Sequence, residues 1–383
     1  MLYPHEIESW WLDAACKAAN QQNHVTALGN LEADAARLSD LFTLDRPAAF
    51  RDYSSNPSAL AAYGVLFFPQ TFARVCRVLQ ECRTTGCDAL ATKSELQILD
   101  LGCGAGAATL SAALQFQNHA LHLQAVDHAP TALAALRRLF DDCRALWPSA
   151  SLTTHVRNAH ADELPGAFDL ILASFVLNEL FPDSIDPRAE PWLRQQIKRL
   201  APGGCLVVLE PAGNLTSERL QRLRDRFARD PALSIVAPCP HQLPCPMPGA
   251  NCGYCHDVRT WRVPDSVNLI NRRMFLSVHD LKYSLLAIQR VPPTPTRNPE
   301  RFRMVGPMHR DKARVATYGC CGDGTLRKIE LMTRGLSRAQ IDALAAHERG
   351  DCLQMTNPRL LGDNRTWRVE TLSPETSALT AQS

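Results

Sequence analysis

Cys239, Cys245, Cys252 and Cys255 fall within one short window, APCPHQLPCPMPGANCGYC, and three of them sit beside proline or glycine. Such residues bend the backbone, so several thiolates can converge on one centre. The chain has 14 cysteines, and disulfides explain them poorly in a reducing compartment, which leaves metal ligation or ordinary burial. Cys16, Cys76, Cys82, Cys87, Cys143 and Cys352 are scattered, so clustering singles out the window. A zinc ribbon needs two C-x-x-C knuckles, and this stretch offers one, Cys252 to Cys255. Thiolates with adjacent proline are also familiar around iron-sulfur clusters. On the residues alone, zinc and iron-sulfur both stay open. His241 and His256 flank the thiols, as ligands or as hydrogen-bonded scaffold.

A second constellation is LDLGCGAGAATL. It places Asp100 at a strand end, Gly102, Gly104 and Gly106 in the turn, and a small-residue helix start behind them, an arrangement that brings backbone close to a ligand. Asp127 closes the next strand, LHLQAVD, where a carboxylate can accept from ribose hydroxyls. FDLILASFVLNEL then reads as a fourth strand, with Asn178 and Glu179 just beyond its carboxyl end, the edge where ligand chemistry belongs in an open α/β sheet. Either is a candidate catalytic group, although a carboxylate at Glu179 more often caps or ion-pairs. The chain lacks an Asn-Pro-Pro-aromatic run for exocyclic amines and a Pro-Cys nucleophile after the fourth strand, so no motif names an acceptor.

The elements that must hold these residues follow from hydrophobic period. Residues 1–90 carry helical-period apolar runs and few turn signals. From Leu96 short apolar runs alternate with helical stretches through CLVVLEP, with Pro202, Gly203 and Gly204 as a turn before that strand; this is a run of βαβ units. The expected organisation is α/β. It comprises a helical region over 1–90, a Rossmann core over 91–213, a Cys-rich insertion and the last sheet strands over 214–335, and a C-terminal helix with a disordered tail over 336–383. The net charge is only +2, so affinity for nucleic acid must come from local clusters. ERLQRLRDRFARD gathers Arg219, Arg222, Arg226 and Arg229 along one helix face, and RFRMVGPMHRDKAR adds Arg310, Lys312 and Arg314. These predict two phosphate-binding patches, set against the alternative of solvated faces. The acidic N-terminus lacks the start of a signal peptide, and no later run approaches about 18 apolar residues. A cytoplasmic protein without membrane attachment is expected.

Asp100, Gly102, Gly104 and Gly106 match the D-x-G-x-G-x-G pattern of class I S-adenosylmethionine methyltransferases. The resemblance implies a cofactor held by these residues and by Asp127. A narrower resemblance rests on CPHQLPCP, the Tyr254-Cys255-His256 element, VLNEL, VLEPAG, YSLLAIQR and Cys320 with Gly324. Over residues 55–330 the chain resembles the small-ribosomal-subunit assembly methyltransferase-like family of mitochondria and bacteria. That resemblance implies a four-iron four-sulfur cluster on Cys239, Cys245, Cys255 and Cys320, with the small ribosomal subunit or its rRNA as partner. Cys252 and Cys321 are additional thiols, either of which could replace a neighbour, and Asp257 stands where the family pattern has an aromatic residue. Methyl transfer to rRNA, or less favourably to a ribosomal protein, is the enzymatic expectation; a non-catalytic RNA-binding assembly factor with an iron-sulfur or zinc centre is the alternative.

Overall fold

The computed structural model describes residues 2–43, 52–159, 164–248, 253–293 and 298–374. The chain divides into two units, one of residues 1–80, 88–209 and 261–281, the other of residues 81–87, 210–260 and 282–383.

The first unit opens with helices α1 (His5–Ala19), α2 (His24–Asn30), α3 (Glu32–Thr43), α4 (Pro57–Thr84) and α5 (Asp88–Thr92). By length and composition α4 could cross a membrane, yet most of it is buried, with Val65, Leu66, Phe68, Phe72 and Val75 in the core. It is the central helix of this region. There follow β1 (Glu95–Leu101), α6 (Ala107–Gln115), β2 (Ala120–Asp127), α7 (Pro130–Asp142), β3 (Ala150–Val156), β4 (Phe168–Ser174), α8 (Leu177–Leu180), α9 (Ala189–Lys198) and β5 (Leu200–Pro211). These strands run parallel in the order β3-β2-β1-β4-β5. Strands β1 and β4 are almost wholly buried, as expected of strands covered on both faces. Helix α7 starts with Pro130 in its first turn, where the missing N–H costs nothing. It buries Leu133, Leu136, Leu139 and Phe140 on one side. Strand order reverses beside β1, which pairs with β2 on one edge and β4 on the other. The crevice beyond the carboxyl ends of β1 and β4 is the switch point at which such sheets bind ligands. Pro202–Gly204 lies inside β5 instead of forming a turn before it; the pairing with β4 shifts register between Phe168 and Leu170, and Gly203 takes a φ of 76°.

The second unit contains α10 (Asn214–Phe227), β6 (Ser234–Ala237), β7 (Asp257–Thr260) and, after α11 (Asp265–Met274) of the first unit, β8 (Asp280–Gln289). Strand β8 pairs antiparallel with β6 and also carries β7. A separate sheet then forms from β9 (Arg301–Met304), β10 (His309–Arg310), β11 (Arg314–Cys321), β12 (Leu326–Met332), β13 (Cys352–Thr356), β14 (Arg359–Leu360), β15 (Thr366–Val369) and β16 (Thr371–Pro374), with α12 (Arg338–Ala345) between β12 and β13. Its order is β14-β15-β12-β11-β9-β13-β16, with β10 on β11. One face is a core of Phe302, Met304, Val315, Cys321, Ile329, Leu331, Leu353 and Met355, against which Ile341 and Leu344 of α12 pack.

This sheet corrects one expectation: residues 301–332 do not join the parallel sheet as late strands. Beyond the C-terminal helix α12, residues 352–374 contribute further strands. Several of these strands are only two to five residues long. They pair over distance, Phe302 with Leu353 and Lys328 with Thr366, so no local period announces them. Residues 375–383 lie outside the described residues.

Candidate functional site

In the first unit the end of β1 and the turn after it form a cradle. Gly102, Gly104 and Gly106 have φ of 67°, 52° and 88°. At Gly106, which caps α6, a Cβ would lie 2.2 Å from Leu136 Cδ1, so the loop packs against α7 only because no side chain is present. Asp127 tightens the loop: its Oδ2 accepts from the Gly104 N–H at 2.7 Å and its Oδ1 from the Ala129 N–H at 2.8 Å. A carboxylate oxygen has two lone pairs, so Oδ2 retains capacity for a ligand hydroxyl, while His128 Nδ1 stands 3.3 Å from Oδ1. Asp100 is buried, accepts from Thr109 Oγ1 at 2.6 Å through Oδ2, and leaves Oδ1 without a partner. Burial pushes its carboxyl up to about 7, against the lowering effect of the Thr109 hydrogen bonds.

Beyond β4, Phe175 adopts a left-handed φ of 62° with its N–H donating to Leu209 O at 2.7 Å. For a bulky residue that conformation costs roughly 1–3 kcal/mol and tends to mark functional sites. Asn178 and Glu179 lie in the middle of α8, which begins at Leu177. Asn178 Oδ1 and Ser174 Oγ are buried without a partner. Sequence reasoning missed two residues of this neighbourhood, Tyr53 and Tyr63. Their rings pack at 5.1 Å, and burial pushes both phenols up, helped by the charges of Glu179 and Asp127. Tyr53 OH stands 3.9 Å from where a Cβ on Gly104 would be. No local motif marks a tyrosine that arrives from a different helical region.

The second unit gathers the cysteines. Cys245, Cys255 and Cys320 pack with Met247, Val305 and Leu326. Burial pushes the Cys320 thiol well up, and the neighbouring charges of Cys239, Cys255 and Cys245 push it further. Burial raises Cys255 as well, with Cys239 as the next cause, and Cys245 to about 11 for the same two reasons. The four thiols thus share one electrostatic neighbourhood. Cys321 points the other way, into the core of the sheet, because successive side chains on β11 face opposite sides. Cys252 lies outside the described residues. Among the described residues no group of three His, Cys, Asp or Glu side chains converges closely enough to hold a single metal ion.

Polar groups fix this arrangement. Arg224, buried on α10, donates to His241 O at 2.6 Å, to Asp225 Oδ1 at 2.7 Å and to Leu243 O. Burial works against its charge, yet Cys239 and Asp225 hold the guanidinium above its ordinary range. His241 Nε2 lies 3.3 Å from Cys320 Sγ, and Gln221 Nε2 donates to Cys245 Sγ at 3.6 Å. Burial, then Arg224, lowers His241 to about 4, so its ring is neutral. Arg349 holds the Tyr254-Cys255-His256 element by donating to Tyr254 O at 2.6 Å and His256 O at 3.0 Å. Gly324, with φ 79°, would place a Cβ 2.9 Å from Leu243; its bare backbone lets the β11–β12 turn close on the Cys239–Cys245 loop. Asp257, where an aromatic residue was expected, is buried and bonds Arg303 Nη2 at 2.7 Å.

Residues 57–354 match the family described as mitochondrial small ribosomal subunit Rsm22. The chain belongs to that family. The Rsm22 segment contains both the glycine cradle and the four gathered cysteines. The fold is of class I methyltransferase type, with a helical N-terminal region and parallel strand order β3-β2-β1-β4-β5. Among curated relatives, the carboxy-S-adenosyl-L-methionine synthase of Cronobacter sakazakii is 31% identical over 114 residues, 30% of this chain and 43% of that protein. The Escherichia coli protein of the same name is 29% identical over 114 residues, with the same two shares. The chain therefore spans less than half the length of these relatives. Similar solved structures include the N-methyltransferase NodS of Bradyrhizobium japonicum with S-adenosyl-L-homocysteine, at 18% identity and TM-score 0.33 over 56% of this chain and 85% of that one. The plantazolicin methyltransferase BpumL has 12% identity and TM-score 0.37 over 71% of this chain and all of that one.

The expected basic faces of this Rsm22 member divide differently. Arg219 is buried, its Nη2 2.7 Å from the buried carboxylate of Glu210, and so drops out of the α10 patch. Helical spacing set it with its neighbours on α10 but could not show that Glu210, at the end of β5, draws it inward. Arg222, Arg226 and Arg229 are exposed. In the second patch Arg310 pairs with Asp342 at 2.6 Å, Arg314 with Asp311 at 2.9 Å and Glu330 at 2.8 Å, and Lys312 is exposed.

Proposed function

We propose that the chain is a methyltransferase of small-subunit assembly that binds S-adenosylmethionine at Asp100, Gly102, Gly104, Gly106 and Asp127 and acts on the small ribosomal subunit or its rRNA. The observation that carries the reading is the cradle itself, within a member of a small-ribosomal-subunit family. Buried acceptors on Asp100 and Asn178 lack protein donors, and the cofactor's amine and hydroxyls are donors. When bound, it supplies an electrophilic methyl group on a sulfonium. The chain's own contribution is to orient an acceptor at the end of β4, with Asn178 and Glu179 as the nearest candidates for handling a proton. The lack of an acceptor motif after β4 favours a second reading, a non-catalytic assembly factor on the same fold.

The second part of the proposal is a four-iron four-sulfur cluster on Cys239, Cys245, Cys255 and Cys320, with zinc as the alternative. The donor set fits an anionic polynuclear group. Four thiols share a neighbourhood lined by Met247 and Val305, Arg224 supplies a buried positive charge beside Cys239, and His241 and Gln221 offer N–H groups to two of the sulfurs. A polynuclear core spreads its ligands further apart than one zinc ion, whose four Zn–S bonds are only about 2.3 Å long.

Calorimetry with S-adenosylmethionine tests the first part. The wild type should bind, and Asp127→Ala should weaken binding by about 10- to 150-fold, as expected for losing a charge-assisted hydrogen bond of roughly 1.5–3 kcal/mol. No binding by the wild type would eliminate the enzymatic reading and leave the assembly factor.

A further inference from the structure

The second sheet has a face that the hydrophobic core does not use. Alternation along β11 puts Arg314, Ala316, Tyr318 and Cys320 on one side. Register extends that side across the sheet: Met332, Glu330 and Lys328 stand opposite Arg314, Ala316 and Tyr318, Thr366 and Arg368 lie beside Lys328 and Glu330, and Arg359 faces Arg368. The other side holds Val315, Ile329, Leu331 and Val369 under α12. At the Cys320 end Met247 packs against this side together with Val305 and Leu326, which flank Tyr318 and Cys320 in the sheet. Away from that end it is open, with Tyr318 45% and Met332 38% exposed.

The open part is basic. Arg314, Lys328, Arg359 and Arg368 are set against the buried Glu330, which accepts from Arg314 Nη1 at 2.8 Å and Arg368 Nη2 at 2.6 Å, and against Asp311 on Arg314. With Asp363 beside Lys328 as well, four cations less three carboxylates leave a surplus of one positive charge, and Glu330 fixes two guanidiniums in place on either side of it. An exposed aromatic ring among ordered cations is the combination that stacks an unpaired base and holds the phosphates beside it. Duplex RNA offers no such base, and a protein partner would call for more apolar area than Tyr318 and Met332 provide.

We infer that this face binds single-stranded RNA, with an unpaired base stacked on Tyr318 and backbone phosphates on Lys328, Arg359 and Arg368. The inference rests on the ribosomal reading and deepens it by naming the RNA form and the surface. Because Tyr318 and Cys320 share a face two residues apart, about 7 Å along the strand, the RNA platform and the cysteine centre are built on one strand.

The test measures fluorescence anisotropy of an unstructured RNA of about 12 nucleotides, within the usual span of such sites, with the full-length protein over a range of salt concentrations. A hairpin duplex serves as comparison, and co-sedimentation with purified small subunits runs in parallel. Tyr318→Ala should weaken binding of the single strand by roughly 5- to 150-fold, the loss of one base stack, while Tyr318→Trp should restore it. Lys328→Ala should lower the slope of log affinity against log salt by about 0.7. The inference is overturned if Tyr318→Ala binds as the wild type does, if Trp fails to restore binding, if the hairpin is preferred, or if the protein binds only a ribosomal protein. Should the wild type still co-sediment with small subunits in those cases, the ribosomal reading survives the loss of this surface. A wild type that neither binds RNA nor co-sediments overturns both.

Discussion

The cofactor cradle and the cysteine centre are assembled in opposite ways. Asp100, the three glycines and Asp127 come from one uninterrupted strand-turn-helix-strand stretch, and each position is set by local backbone geometry plus one neighbouring helix. The cysteines come from a loop after β6, a strand entry at β7 and the end of β11, and His241 meets Cys320 across 79 positions of chain. A site of the first kind can form as soon as its own sheet forms. A site of the second kind exists only when distant segments have already folded together, so whatever binds there contributes directly to folding.

The comparison breaks most visibly at Cys320. Cys320→Ser should abolish metal binding at the proposed centre and much of the stability of the second unit, since structural metal sites can contribute on the order of 10 kcal/mol. Cys16→Ser should change neither, and metal analysis with thermal unfolding of both variants checks this. If Cys320→Ser keeps its metal while Cys321→Ser loses it, the orientation assigned to β11 is wrong.

A smaller effect sharpens the other side. Gly106→Ala should destabilise the first unit by about 2–4 kcal/mol, combining a left-handed φ with overpacking against Leu136. Gly104→Ala, whose Cβ meets only Tyr53 OH at 3.9 Å, should cost about 1–2 kcal/mol. Urea denaturation of the two variants separates them, and equal losses would mean that α7 does not limit the loop.

The same contrast explains what could be read from sequence. LDLGCGAG and LHLQAVD were legible because strand, turn and helix follow one another and carry their own period. Tyr53 and Tyr63 were not, since nothing near them in sequence refers to the glycine loop. The cysteine window was visible as a window, but Cys320 entered through family resemblance, and the choice between Cys320 and Cys321 needed the pleat of β11. The second sheet escaped because strands such as β10 and β14 are two residues long and find partners only in three dimensions. For Arg219, helical spacing fixed its neighbours while the buried Glu210 decided its environment.

The most direct measurement is iron, acid-labile sulfide and zinc content of the full chain purified without oxygen. The account predicts about four irons and four sulfides per chain, in line with a cluster on four thiolates, with little zinc. Stoichiometric zinc without iron, or protein that folds with neither, would contradict it.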